Sequence, residues 1–227
     1  MIQNVHKDHR KRMREKFMQD GIESFQPHEV LEMLLFYSYR QRNTNEIAHR
    51  LLDRFGSLPA VFEADIKSLT EVPDVGENTA VFLKLLACVQ RYYMKEKYSK
   101  EKGKKVTPDN VAEILEPLFC GYTEEVMYMI SLDANCEMIS LDIIGKGTVN
   151  CTTLYTREVV KKAIETKAVF VILAHNHPNG NLAPSESDKI ATLELNDAFN
   201  FIHVKLLDHI IVARGDYISL ARDYKLL

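Results

Sequence analysis

The chain has 227 residues, 46% hydrophobic and 27% charged, a balance expected of a soluble globular protein with core material for one large domain or two small ones. No apolar run approaches the roughly 20 residues that cross a bilayer, the opening MIQNVHKDHRKRMREKF lacks an apolar signal segment, and Cys88, Cys120, Cys136 and Cys151 form no close pair; a cytoplasmic protein without a disulfide framework or a C-x-x-C zinc knuckle is expected. The net charge of −3 hides an asymmetry, because residues 1–105 carry 19 Lys/Arg against 15 Asp/Glu and residues 106–227 carry 10 against 17.

The first half reads as helical. PHEVLEMLLFYSY (27–39) and TNEIAHRLLDRFGSL (44–58) place apolar residues three and four apart, with Asn43 or Thr44 as the N-cap and Gly56 as the C-terminal stop of the second segment. LTEVPDVGENTAVFLKLLA (69–87) predicts a helix, a tight hairpin at Pro73–Gly76 and a second helix carrying Lys84. It resembles the helix-hairpin-helix that holds DNA phosphates on backbone N–H groups. It departs from that pattern at Asp74, an acid where the first hairpin glycine is expected. The basic runs HKDHRKRMREKF and KEKYSKEKGKK offer charge for phosphates and equally for solvent.

From 92 to 110 apolar periodicity fades, lysines accumulate, and Gly103 and Pro108 follow, which reads as a linker. The division expected is a helical module over 1–98, a lysine-rich linker over 99–105 and a second module over 106–227. In the last, VMYMISL, MISLDII, AVFVILA and VKLLDHIIVA are strand candidates. TREVVKKAIETK and SESDKIATLELNDAF have helical spacing, with Thr156 and Ser185 as N-caps. The order strand, strand, helix, strand, helix, strand, strand predicts an α+β fold with helices against a mixed sheet.

AVFVILA is apolar enough for a central strand and runs into AHNHPNGNLAPSESDK (174–189). Residues two apart on an extended chain project to one side, so His175 and His177 can face one ion. The Pro178–Asn181 turn and a helix opening at Ser185 can bring Asp188 back to them. Two imidazoles and a carboxylate suit zinc, and three protein ligands leave a fourth position open, as catalytic zinc sites do. Ser185-x-x-Asp188 also satisfies the capping-box pattern, so the pair has a purely structural alternative.

His175-x-His177, with Ser185 and Asp188 behind, resembles the JAMM (MPN+) metalloprotease motif H-x-H-x7-S-x2-D. With GTVN (147–150), REVVKKAI (157–164) and LLDHIIV (206–212) around it, the chain is similar over most of its length to the RadC (UPF0758) family, named for DNA repair. The resemblance implies a cytidine-deaminase-like α/β/α JAMM/MPN domain after a helical helix-hairpin-helix module, and Zn2+ held by His175, His177 and Asp188. It also implies a glutamate base on an early strand; Glu125, opening EVMYMISL, matches best, with Glu124, Asp142 and Glu158 as rivals. Zinc would polarise an amide carbonyl and acidify water, the glutamate would carry a proton from water to the leaving amine, and Ser185 would donate to the oxyanion. A peptide or isopeptide substrate follows. Deaminase chemistry is excluded, because a Glu two residues after the His and a P-C-x-x-C are missing. The alternative is a DNA-binding repair accessory whose metal is structural or vestigial; a third reading is an interaction module without activity.

Overall fold

Helix signals and strand signals separate along the chain, and the elements follow them. The computed structural model describes residues 2–100, 103–147 and 152–227, and these divide into two compact units, Met1–Val89 and Gln90–Leu227.

The first unit holds α1 (Ile2–Asp20), α2 (Pro27–Ser38), α3 (Thr44–Phe55), α4 (Leu58–Glu63), α5 (Ile66–Thr70) and the beginning of α6 (Glu77–Lys100). α2 starts with Pro27, whose fixed φ suits a first turn, behind a capping box in which Glu29 accepts the Gln26 N–H at 2.9 Å. α3 follows Asn43 at the N-cap position and stops at Gly56, left-handed at φ 83°. Leu31, Leu35, Ile47, Leu51, Leu69 and Leu83 are fully or almost fully buried in one core, which the three- and four-residue spacing of apolar positions anticipates.

The second unit is built on a five-stranded mixed sheet in the order β2-β1-β3-β4-β5. Its strands are β1 (Val126–Leu132), β2 (Met138–Lys146), β3 (Phe170–Asn176), β4 (Lys205–Ala213) and β5 (Asp216–Ser219). Only β3 and β4 run parallel. Parallel neighbours need a crossover, and α9 (Glu186–Phe201) provides it. Met127, Met129, Val171 and Leu173 face α9 and α8 (Thr152–Thr166) on one side of the sheet. Tyr128, Ile130, Ile172 and Ala174 face the other side, with α7 (Val111–Leu115), the 3-10 turn after it and Tyr98 from α6. The unit is thus an α/β/α sandwich, closed at its C-terminal end by α10 (Leu220–Tyr224). β3 is central and buried at six of its seven residues, as its unbroken apolar run predicts.

Two expectations shift. The segment expected to begin the linker is helical from 92 to 100, and Tyr98 is only 7% exposed, its hydroxyl donating to the Glu113 carbonyl at 3.2 Å. Tyr98, with Met94 packed against the same core, anchors those lysine-rich turns in the second unit. Thr156 lies inside α8, which begins at Thr152, so it is not a cap. Glu101 and Lys102 of the linker, residues 148–150 of the GTVN stretch and Cys151 lie outside the described residues. No described helix is long and apolar enough to cross a membrane.

Candidate metal centre

The end of β3 carries the histidine pair. His175 is the penultimate residue of the strand, and His177 still donates its backbone N–H to the Val212 carbonyl on β4 at 3.0 Å. The chain therefore stays extended across H-x-H, and the two rings lie on one side with their Nε2 atoms 3.0 Å apart. The chain then turns, with Gly180 donating its N–H to the His177 carbonyl at 3.0 Å. Gly180 adopts φ 80°, a left-handed conformation that favours glycine.

α9 opens at Ser185, and the capping box and the candidate ligand prove to be one arrangement. Asp188 Oδ2 accepts the Ser185 N–H at 2.7 Å and the Ser185 hydroxyl at 2.6 Å. The same carboxylate lies 3.3 Å (Oδ1) from His175 Nε2 and 3.4 Å (Oδ2) from His177 Nε2. The cap fixes the rotamer that turns Asp188 toward the histidines. His175, His177 and Asp188 are the one group of three or more His, Cys, Asp or Glu among the described residues with ligand atoms close enough for an ion, all within 4.8 Å.

The donor set fits a cation. His177 Nδ1 lies 2.6 Å from the Asn181 carbonyl, which only accepts, so Nδ1 carries the proton and a neutral ring presents a lone pair at Nε2. Facing lone pairs and a carboxylate repel unless positive charge sits among them. Zinc–nitrogen bonds of about 2.0–2.1 Å set tetrahedral ligand edges of about 3.3 Å; the two Nε2 atoms lie 3.0 Å apart, and each has one Asp188 oxygen at 3.3 or 3.4 Å, Oδ1 for His175 and Oδ2 for His177. Without an ion the same field attracts protons. Hydrogen bonding to Asp188 lifts His177 above its ordinary value against the opposing effect of burial, and the Asn181 carbonyl and Glu125 add to it. Burial opposes ionisation of Asp188, but hydrogen bonding with His175 and His177 in their protonated forms, and with Ser185, outweighs it and holds the carboxyl well below the usual range.

Glu125 lies one residue before β1. Met127 pairs with His175 at the end of the antiparallel β1–β3 register, and Glu125, two residues earlier, is close enough for its charge to act on His177. The backbone there is pinned by Asn176, the middle residue of H-x-H. Its Oδ1 accepts the Val126 N–H at 2.7 Å and its Nδ2 donates to the Glu124 carbonyl at 3.1 Å. Of the rivals, Asp142 pairs with Lys162 at 2.9 Å and Glu158 lies with Lys161 on α8, whereas Glu124 lies in the bend before β1 with its carboxylate near Gly147. Ser185 is at the site, with its hydroxyl directed at Asp188.

Sequence reading overlooked His209, Thr192 and Asn176. His209 is 1% exposed on β4, with Nε2 2.8 Å from His175 Nδ1 and Nδ1 2.6 Å from Thr192 Oγ1. Burial, with His175 beside it, pushes its pKa well below the ordinary imidazole value, so its ring is neutral. The available signal was a histidine inside the otherwise apolar end of β4, where a buried polar ring needs partners.

In the helical unit a short connection, residues 71–76, joins α5 to α6, and Asp74 within it takes φ 70°, a left-handed conformation that favours glycine. Its carboxylate accepts from Arg42 and from Arg50, the latter at 2.8 Å, and these guanidiniums, with Arg50 first, hold its carboxyl below the usual range against slight burial. Lys84 donates to the Glu63 and Ala64 carbonyls at 2.8 and 3.1 Å, at the C-terminal end of α4.

A helical unit followed by a mixed-sheet α/β/α domain, with H-x-H at the end of the central strand and an aspartate opening the crossover helix, defines the architecture of a RadC-like JAB domain behind a helical partner. Family models agree with that division: residues 106–226 match the RadC-like JAB domain and residues 2–81 match the UPF0758 N-terminal family. The chain belongs to the RadC (UPF0758) family. A UPF0758 protein of Fusobacterium nucleatum is 34% identical over 229 residues, covering 98% of this chain and 99% of that relative.

Proposed function

We propose that this protein is a zinc-dependent hydrolase of the JAMM type acting on a peptide or isopeptide bond, with His175, His177 and Asp188 holding the metal. The observation that carries the reading is the convergence of the three ligand atoms, with Asp188 oriented by its own helix cap. Zinc bound there would supply Lewis acidity, polarising the amide carbonyl and making water a better nucleophile near neutral pH. Glu125, whose charge acts on His177, takes the proton of the attacking water and returns it to the leaving amine. The Ser185 hydroxyl donates to the developing oxyanion by exchanging its bond to Asp188 Oδ2, while the Ser185 N–H, at 2.7 Å, continues to hold that oxygen. No covalent enzyme intermediate is formed.

The test is zinc per chain in protein purified without chelators, followed by cleavage of peptide and isopeptide libraries by the zinc-loaded protein. About one zinc per chain, lost in His175→Ala and in Asp188→Ala, together with cleavage abolished in Glu125→Gln, is expected. Absence of zinc after reconstitution would overturn the reading.

DNA association through the helical unit is the second reading. The short connection between α5 and α6 supports it, whereas the acid in that connection, paired with Arg42 and Arg50, disfavours a phosphate there. Salt-dependent DNA binding unaffected by His175→Ala would support this reading, and no binding at low salt would remove it.

A further inference from the structure

The hydrogen bonds behind His175 have only one self-consistent direction. Thr192 Oγ1 lies 2.6 Å from the Asp188 backbone carbonyl and 2.6 Å from His209 Nδ1. A carbonyl oxygen can only accept, so the single Thr192 hydroxyl proton goes to Asp188. Thr192 must then accept from His209, which places the proton of that neutral ring on Nδ1 and leaves Nε2 as an acceptor. Nε2 lies 2.8 Å from His175 Nδ1, so His175 carries its proton on Nδ1 and its lone pair on Nε2, the nitrogen that faces His177 and Asp188. The reverse assignment would leave a carbonyl and a hydroxyl oxygen 2.6 Å apart with no proton between them.

We propose that His209 and Thr192 are positioning residues that hold the proton of His175 on Nδ1 and keep its Nε2 open to the ion, a role that rests on the metal-centre reading above. The relay begins at one candidate ligand, His175, and ends on the backbone of another, Asp188, so it ties β3, β4 and α9 together around the site. Outer partners of this kind fix the tautomer and ring orientation of a ligating histidine. Both His209 and Thr192 are at most 1% exposed, which leaves the protein itself to supply their partners.

The experiment uses the full chain and two readouts. Long-range 15N–1H spectra of the imidazoles in metal-free wild type report which nitrogen of each ring carries the proton, and chelator competition with zinc alone reports affinity. The spectra are expected to show His175 and His209 protonated on Nδ1. His209→Leu should weaken zinc binding about tenfold or more, whereas His209→Gln, whose amide can accept from His175 and donate to Thr192, should stay within about threefold of wild type. Rescue by glutamine separates a directed relay from simple filling of space, because leucine also fills the site. Thr192→Val keeps the shape and removes the acceptor, and it should shift His175 toward the Nε2–H form. His175 protonated on Nε2 in the wild type, or full zinc affinity in His209→Leu, would overturn the proposal. If the wild type bound no zinc, the metal-centre reading alone would fall, and the tautomer of His175 would still decide the relay.

Discussion

The two units each gather nitrogen-bearing side chains around one aspartate, in opposite surroundings. In the helical unit, Asp74 meets Arg42 and Arg50 at the surface, where the three side chains are 45%, 57% and 39% exposed. In the sheet unit, Asp188 meets His175 and His177, whose side chains are 20%, 5% and 9% exposed. Water and salt screen the first cluster, so each of its bonds is replaceable. The second has little water to fall back on, and its lone pairs and charge demand a proton or an ion. An aspartate among permanent cations thus makes a surface clasp in one unit, and an aspartate among buried imidazoles makes a candidate reactive centre in the other.

The largest effect expected from breaking the buried cluster is that of His175→Ala or Asp188→Ala, which should weaken zinc binding by more than about a hundredfold, measured by chelator competition. Glu125→Gln sharpens the comparison within the sheet unit. It should leave zinc content intact and reduce cleavage by about 10²–10⁴-fold, the range for a general base, measured by steady-state kinetics. Asn176→Ala leaves the Val126 N–H and the Glu124 carbonyl without their side-chain partner. It should cost about 1–3 kcal/mol in denaturant unfolding and disturb Glu125 more than the metal ligands.

A pH series separates the proton from the metal. His177 sits above its ordinary 6.5 because Asp188 is hydrogen-bonded to it. In metal-free protein its contribution to stability is fully present below the unfolded value of about 6.5 and is lost as pH rises through the folded value. Zinc requires the neutral ring, so zinc affinity should move the other way and rise with pH over that window, with proton release on binding. Calorimetry in buffers of different ionisation enthalpy measures this. Asp188, held well below the usual range, stays ionised throughout. The smallest effect is expected at the surface. Asp74→Asn, which keeps a residue that tolerates the left-handed conformation, should leave the unfolding midpoint nearly unchanged at physiological salt while removing the charge that holds Arg42 and Arg50; a gain in low-salt DNA retention would measure that release.

Local patterns were legible in the chain itself. Strand β1 coincides with VMYMISL, Gly56 ends α3, Ser185 caps α9, and the spacing of His175, His177 and Asp188 anticipates one cluster. Each of these depends on residues close in sequence, where extended or helical geometry determines which side chains share a face. The continuation of α6 through 92–100 was less legible, because anchoring by Tyr98 and Met94 outweighs a lysine-rich composition.

What the sequence alone determined is therefore the inventory: a helical half, a sheet half, and a ligand set written within 14 residues from 175 to 188. Only the tertiary structure decided what surrounds that set. Asn176 reaches back 50 residues to Val126, His175 meets His209 34 residues away, and Arg42 finds Asp74 across 32. Contacts at those separations come from strand register and from which helix covers which face. Both are set by the simultaneous burial of many apolar side chains, and no short window of sequence contains that information.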